Sequence, residues 1–192
     1  MKCITIAVAV AALFSGAAYA QQGTVQRNVN QQERIEQGLK SGQLTTQEAA
    51  RLENEQSRIQ RDQSRALRDG TLSPAEKARL EREQNQASRD IHREKNDAQK
   101  GDPNSASSKR MQADVQRNVN QQQRINEGVK SGSLTNREAG KLEAGQARVA
   151  RKEARAGADG HVTKAEERRV QSAEDRQSRK IFREKHDAQT RN

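Results

Sequence analysis

What the chain lacks narrows the field before any motif is read. Its one cysteine, Cys3, stands ahead of an apolar run, and it has no tryptophan, one tyrosine, two phenylalanines and two prolines. With residues 1–20 set aside as described below, no disulfide and no cysteine nucleophile remain, so stability must be noncovalent. A stacking platform for bases is missing as well, since Phe182 is the sole aromatic after Tyr19. The three histidines, His92, His161 and His186, have no second His or Cys at ligand spacing. No Gly-rich phosphate loop follows a strand, and the many acids alternate with Arg and Lys as on a solvated helix face. Neither an active site nor a cofactor is expected. Large apolar residues are also sparse, which brings the composition close to that of disordered chains. The regularity of what is present argues against disorder.

Lys2, the apolar run Ile4–Phe14 and the small-x-small triplet Ala18-Tyr19-Ala20 have the form of a secretory signal peptide, too short for a membrane span. Cleavage is expected after Ala20, with the protein placed in a Gram-negative periplasm or secreted. Cys3 precedes the apolar run and so is not a lipoprotein cysteine.

The remainder is a duplication. Residues 25–100 and 115–190 align without a gap at an offset of 90, with 39 identities in 76 positions. The expected units are 21–100 and 113–192, joined by a flexible polar linker, 101–112, "GDPNSASSKRMQ". Inside each unit one phrase occurs twice: "SGQLTTQEAARL" from Ser41, "DGTLSPAEKARL" from Asp69, "SGSLTNREAGKL" from Ser131 and "DGHVTKAEERRV" from Asp159. Each contains Gly-x-Leu/Val-Thr/Ser-x-x-Glu, the spacing of a capping box preceded by a helix-ending glycine. The capping residues are Gly42, Thr45 and Glu48; Gly70, Ser73 and Glu76; Gly132, Thr135 and Glu138; Gly160, Thr163 and Glu166. Pro74 suits a first helical position.

The phrase therefore ends one helix and starts the next. It predicts helices over about 25–40, 46–68 and 74–98, and again over 115–130, 136–158 and 164–188, with Thr24 and Asp114 as N-caps of the opening helices. Apolar stripes are narrow: Val25, Val29, Ile35 and Leu39; Leu52, Ile59 and Leu67; Leu80, Ala87, Ile91 and Ala98. The fold class is all-α, two tandem homologous units, each an up-down-up three-helix bundle or hairpin stack. Gln32, Gln56, Gln63, Gln122 and Gln146 interrupt the core-facing arcs. They imply either a thin core with wet edges or a register-setting polar layer in a helical association such as a homo-oligomer. A partner could complete so thin a core.

The repeated motif resembles the second half of an EF-hand calcium loop, but the earlier ligand positions hold Gln37, Leu39 and Ser41 in the first copy, and Arg65 or Arg155 opens two others. A metal is not expected on that pattern; Asp69 with Glu76 and Asp159 with Glu166 come nearest to a ligand set.

Charge separates the copies. Positions 25–100 carry 15 basic and 13 acidic residues, whereas 115–190 carry 17 and 11. On the last helix Arg168, Arg169, Arg176, Arg179, Lys180 and Arg183 share about a third of the circumference, opposite Val170, Ile181 and Ala188. This is the candidate partner-binding face, suited to acidic protein clients or other polyanions. Specific nucleic-acid binding is not expected, and no helix has the bulky apolar face of a lipid anchor. A second contact region is expected where the first turn meets the third helix's end, around Arg93, Glu94, Lys95 and Asp97.

The export signal and duplicated Leu-Thr-x-x-Glu helices resemble the helical-repeat proteins exported by Gram-negative bacteria. The motif is also similar to the Leu-Thr-x-x-Gln element of the Spy–CpxP type of periplasmic stress chaperone, with Glu here in place of Gln and four motifs in place of two. That resemblance implies a helical, non-enzymatic protein binding unfolded clients on a charged surface. The expected function is thus periplasmic, stress-protective and chaperone-like. A self-associating structural protein and a divalent-cation binder with EF-hand-like turns are the alternatives.

Overall fold

The computed structural model describes residues 13–189, with side chains from Gln21 onward. Residues 1–12 of the proposed signal peptide lie outside this range, whereas its expected cleavage point after Ala20 falls within α1. Six helices make up the described chain, which contains no strand: α1 Leu13–Ser41, α2 Thr46–Ala66, α3 Pro74–Lys95, α4 Ala106–Ser131, α5 Asn136–Ala156 and α6 Lys164–Lys185. None is long and apolar enough to cross a membrane.

All four capping boxes form. The Glu48 N–H donates to Thr45 Oγ1 at 3.2 Å, while the Thr45 N–H donates to Glu48 Oε2 at 2.8 Å. The same reciprocal pair closes at Ser73/Glu76, Thr135/Glu138 and Thr163/Glu166. Gly42, Gly70, Gly132 and Gly160 take φ between 72° and 90°, the left-handed geometry that the helix ends require.

Three boundaries differ from expectation. Thr24 and Asp114 are not N-caps, because both opening helices begin earlier. Ser105 caps α4, accepting the Ser108 N–H, and good helix formers carry the helix on to Asp114. Thr24 instead turns its hydroxyl back to the Gln21 carbonyl at 2.8 Å within α1. The third helices stop at Lys95 and Lys185, so Ala98 and Ala188 are exposed and do not extend the apolar stripes. Nor is 101–112 a free linker. From Ala106 it is helix, Met111 is fully buried, and the Gly101 N–H donates to the Gly42 carbonyl at 2.9 Å. A Cβ at Gly101 would lie 2.3 Å from the Leu44 carbonyl oxygen, so this crossing admits glycine alone.

Each unit runs up, down and up, yet the most extensive packing lies between units, α2 against α5 and α1 against α4. Both pairs are antiparallel. Ser57 Oγ donates to the Ala147 carbonyl at 2.8 Å, Gln47 reaches Ala158 and Arg137 reaches Asp69, so the ends of α2 and α5 meet reciprocally. Residues paired across this interface exchange places under the 90-residue offset, the mark of an internal pseudo-twofold axis. The core follows suit: one cluster joins Ile35, Leu39, Leu52 and Ile91 to Met111, Val115, Val162 and Val170, and a second joins Val25 to Ile125, Leu134 and Ile181.

Small residues let α2 and α5 approach closely: Ala49, Ala50, Ala139, Gly140, Ala147 and Ala150 are buried there. Leu67 faces Gly140, where an added Cβ would stand 2.9 Å from Leu67 Cβ, and Ala50 faces Gly157. Gly140→Ala should therefore lower stability by about 1–2 kcal/mol, the steric cost exceeding a helix-propensity gain of about 1 kcal/mol. Circular dichroism would register this as a lower melting temperature; a higher one would refute the close contact.

The glutamines of the stripes form neither a wet edge nor an exposed seam. Gln32, Gln56, Gln63, Gln122 and Gln146 are buried inside the molecule. In the first unit Asn28 donates to Gln63 (2.7 Å), Gln63 to Thr24 Oγ1 (3.1 Å) and Gln84 to Asn28 (2.7 Å). The apolar residues of these stripes pack across the two halves of the chain, Ile35, Leu39 and Leu52 sharing one cluster with Met111 and Val115.

Candidate functional site

The arginine face is assembled on the outer side of α6, whose inner side carries buried Val170, Ala173, Gln177 and Ile181. Arg168, Arg169, Arg176, Arg179 and Arg183 are exposed, and none forms an ion pair among the described residues. Lys180 is half-buried; burial lowers its pKa, and its ammonium is 3.5 Å from the Lys141 carbonyl. All six residues placed on this face by the sequence are brought together there.

Two adjoining shallow grooves run along the face. One, of about 430 Å³, is lined by Lys152, Ala165, Arg168, Arg169, Ser172 and Arg176. The other, of about 720 Å³, is lined by Arg124, Arg176, Ser178, Arg179, Lys180, Phe182 and Arg183. Phe182, 57% exposed, is the only large apolar side chain left in solvent among the described residues, and its ring stacks on His186 at 4.2 Å. The second groove is thus walled by an aromatic ring and arginine stems, with cationic heads around the rim.

The equivalent face of the first unit is neutralised from within. Arg79 pairs with Asp62 at 2.8 Å and Glu83 at 2.9 Å, and Arg93 pairs with Asp90 and with Glu94 at 3.3 Å. At the matching positions the second unit has Lys152 for Asp62, Ala173 for Glu83 and Lys180 for Asp90. Three acids have gone, and the arginines they held are free. Lys152 and Arg124, contributed by neighbouring helices, were not foreseen; the Asp62-to-Lys152 exchange between copies was the available signal.

No protein-family model, curated protein or solved structure matches this chain.

The acids closest to an EF-hand pattern serve the turns instead. Asp69 Oδ1 accepts the Thr71 N–H and hydroxyl, which hold its carboxyl below the usual range, and Asp159 Oδ1 accepts the His161 N–H. Glu76 and Glu166 are committed to their capping boxes. Neither pair belongs to a group of three acids among the described residues.

Beneath the arginine face lies a buried acidic cluster that periodicity did not reveal. Thr24, Gln63 and Gln84 of the first unit correspond to Asp114, Glu153 and Glu174 of the second, all buried. Neither Asp114 oxygen has a hydrogen-bond partner, and burial with the neighbouring Glu167 charge pushes its pKa to about 7. Glu174 is pushed to about 8 by burial and by Asp114, against the opposing pull of Arg117 at 3.4 Å. Glu153, which accepts from Asn118, is raised by burial and then by the charges of Glu53, Glu174 and Asp114. Glu53 is raised by burial as well, and one oxygen of each of Glu53 and Glu153 lacks a donor. Carboxyls so placed resolve their repulsion by holding protons at neutral pH.

Proposed function

We propose that this chain is a non-enzymatic exported binding protein, stress-protective or chaperone-like, which holds acidic, partly unfolded protein clients on the outer face of α6. The reading is carried by five arginines without acidic partners along one face of α6, three of them beside the exposed Phe182, on a helix whose counterpart is ion-paired. Such a surface offers charge to acidic segments and a small apolar contact to exposed side chains. The signal-peptide pattern and the similarity to Spy–CpxP chaperones agree with it. The self-association reading has less to rest on, because the interrupted stripes are occupied within the chain.

Purified residues 21–192 should suppress aggregation of a chemically denatured acidic protein at near-stoichiometric ratio. Replacing Arg168, Arg169, Arg176, Arg179 and Arg183 with serine should weaken this at least tenfold while helicity is retained. Raising salt to about 0.5 M should act in the same direction, since exposed charges are then screened within a few ångströms. Absence of suppression by the unmodified protein would sink the proposal.

A further inference from the structure

We propose that the second unit holds one hard divalent cation of the calcium type between Glu138, Glu184 and Asp187. Glu138 stands in the first turn of α5, Glu184 in the last turn of α6, and Asp187 just past its end. One carboxylate oxygen from each lies within 4.8 Å of the other two. Glu138 is 1% exposed; its Oε2 accepts the Thr135 N–H at 2.8 Å, while Oε1 has no hydrogen-bond partner. A buried carboxylate oxygen without a donor is costly, and a cation aligned with it removes that cost. Calcium takes oxygen ligands at about 2.3–2.6 Å with tolerant geometry, and Asp187 leaves the outer side open to water ligands.

The same triad recurs in the first unit as Glu48, Glu94 and Asp97, and Glu48 Oε1 likewise has no hydrogen-bond partner. There, however, a cation is built in. Arg51 lies 3.9 Å from Glu48 and 3.7 Å from Glu94, and Arg93 lies 3.3 Å from Glu94. The counterpart of Arg51 is Lys141, which forms no ion pair with Glu138 or Glu184 among the described residues. The first triad has a guanidinium beside it that offsets its charge, and the second is left for an ion. Lys141, Lys180 and Arg183 stand nearby and hold the affinity to the range of extracellular calcium modules, a Kd of about 0.1–1 mM.

The motif's glutamate thus has a second use beside the cap, with partners drawn from the far end of the unit and not from the residues preceding it. Equilibrium dialysis of residues 21–192 against calcium chloride at low salt should give one site. Glu138→Gln, which preserves the capping box, should weaken binding at least tenfold, as should Asp187→Asn on the exposed side; Glu48→Gln should leave it unchanged. Arg51→Ala should raise the stoichiometry to two. Absence of bound calcium, binding that persists in both E138Q and D187N, or loss in E48Q would overturn the site. A stoichiometry of one in R51A would overturn the role given to Arg51.

Discussion

Replacing Asp114, Glu153 and Glu174 with Thr, Gln and Gln, the residues at the equivalent places of the first unit, is expected to stabilise the protein at pH 8 by about 3 kcal/mol or more. It should also flatten the dependence of stability on pH. These carboxyls titrate normally when unfolded but bind protons more tightly when folded, with Asp114 raised to about 7 and Glu174 to about 8. The folded state therefore carries more protons between these limits, and stability falls as pH rises from about 4.5 towards 8. Each acid held protonated contributes a slope of about 1.4 kcal/mol per pH unit. Glu53 and Glu143, the latter raised to about 8 by burial, add to the trend and survive the substitutions. The first unit shows why the replacements fit: Thr24, Asn28, Gln63 and Gln84 close a neutral network over the same backbone geometry. Urea unfolding at pH 5, 6.5 and 8 would measure the effect. Stability rising with pH in the natural sequence would contradict protonated acids in the core.

Separating the two units should abolish most of their structure. Fragments 21–103 and 104–192 are each expected to show a large loss of helical signal at 222 nm when alone and to recover it on mixing. The reason lies in where the apolar residues meet. Ile35, Leu39 and Leu52 are buried with Met111, Val115 and Val162, and Val25 with Ile125 and Leu134, so separation divides both clusters and uncovers the apolar residues that face the other unit. Helices of 21 or 22 residues with narrow stripes do not persist without such packing. The fragments should prefer each other to copies of themselves. In the intact chain Leu67 and Ala50 face Gly140 and Gly157, whereas a dimer of the first unit would set Leu67 against Ala50 and force the helices apart. A fragment that melts cooperatively at the temperature of the whole protein would disprove this interdependence.

These expectations mark where local patterns stop being informative. Thr45, Ser73, Thr135 and Thr163 with their glutamates act within four residues of chain, so their caps were legible from spacing. The arginine face of α6 was legible too, because helical periodicity fixes which side chains share a side. Asp114 misled for a local reason: an aspartate ahead of an amphipathic run reads as a cap, and only the buried turn before it, with Ser105 at the true start, shows otherwise.

The sequence by itself determined six helices, their punctuation, the duplication and the cationic face, since each depends on neighbours within a few turns. Tertiary structure alone decided that the two copies close on one another about a pseudo-twofold axis, because antiparallel pairing of α2 with α5 depends on contacts about 90 residues apart. It also decided that Asp114, Glu153 and Glu174 share one buried space, and that Glu138 meets Glu184 and Asp187. Burial and proximity across the chain are set by packing, and no periodicity encodes them.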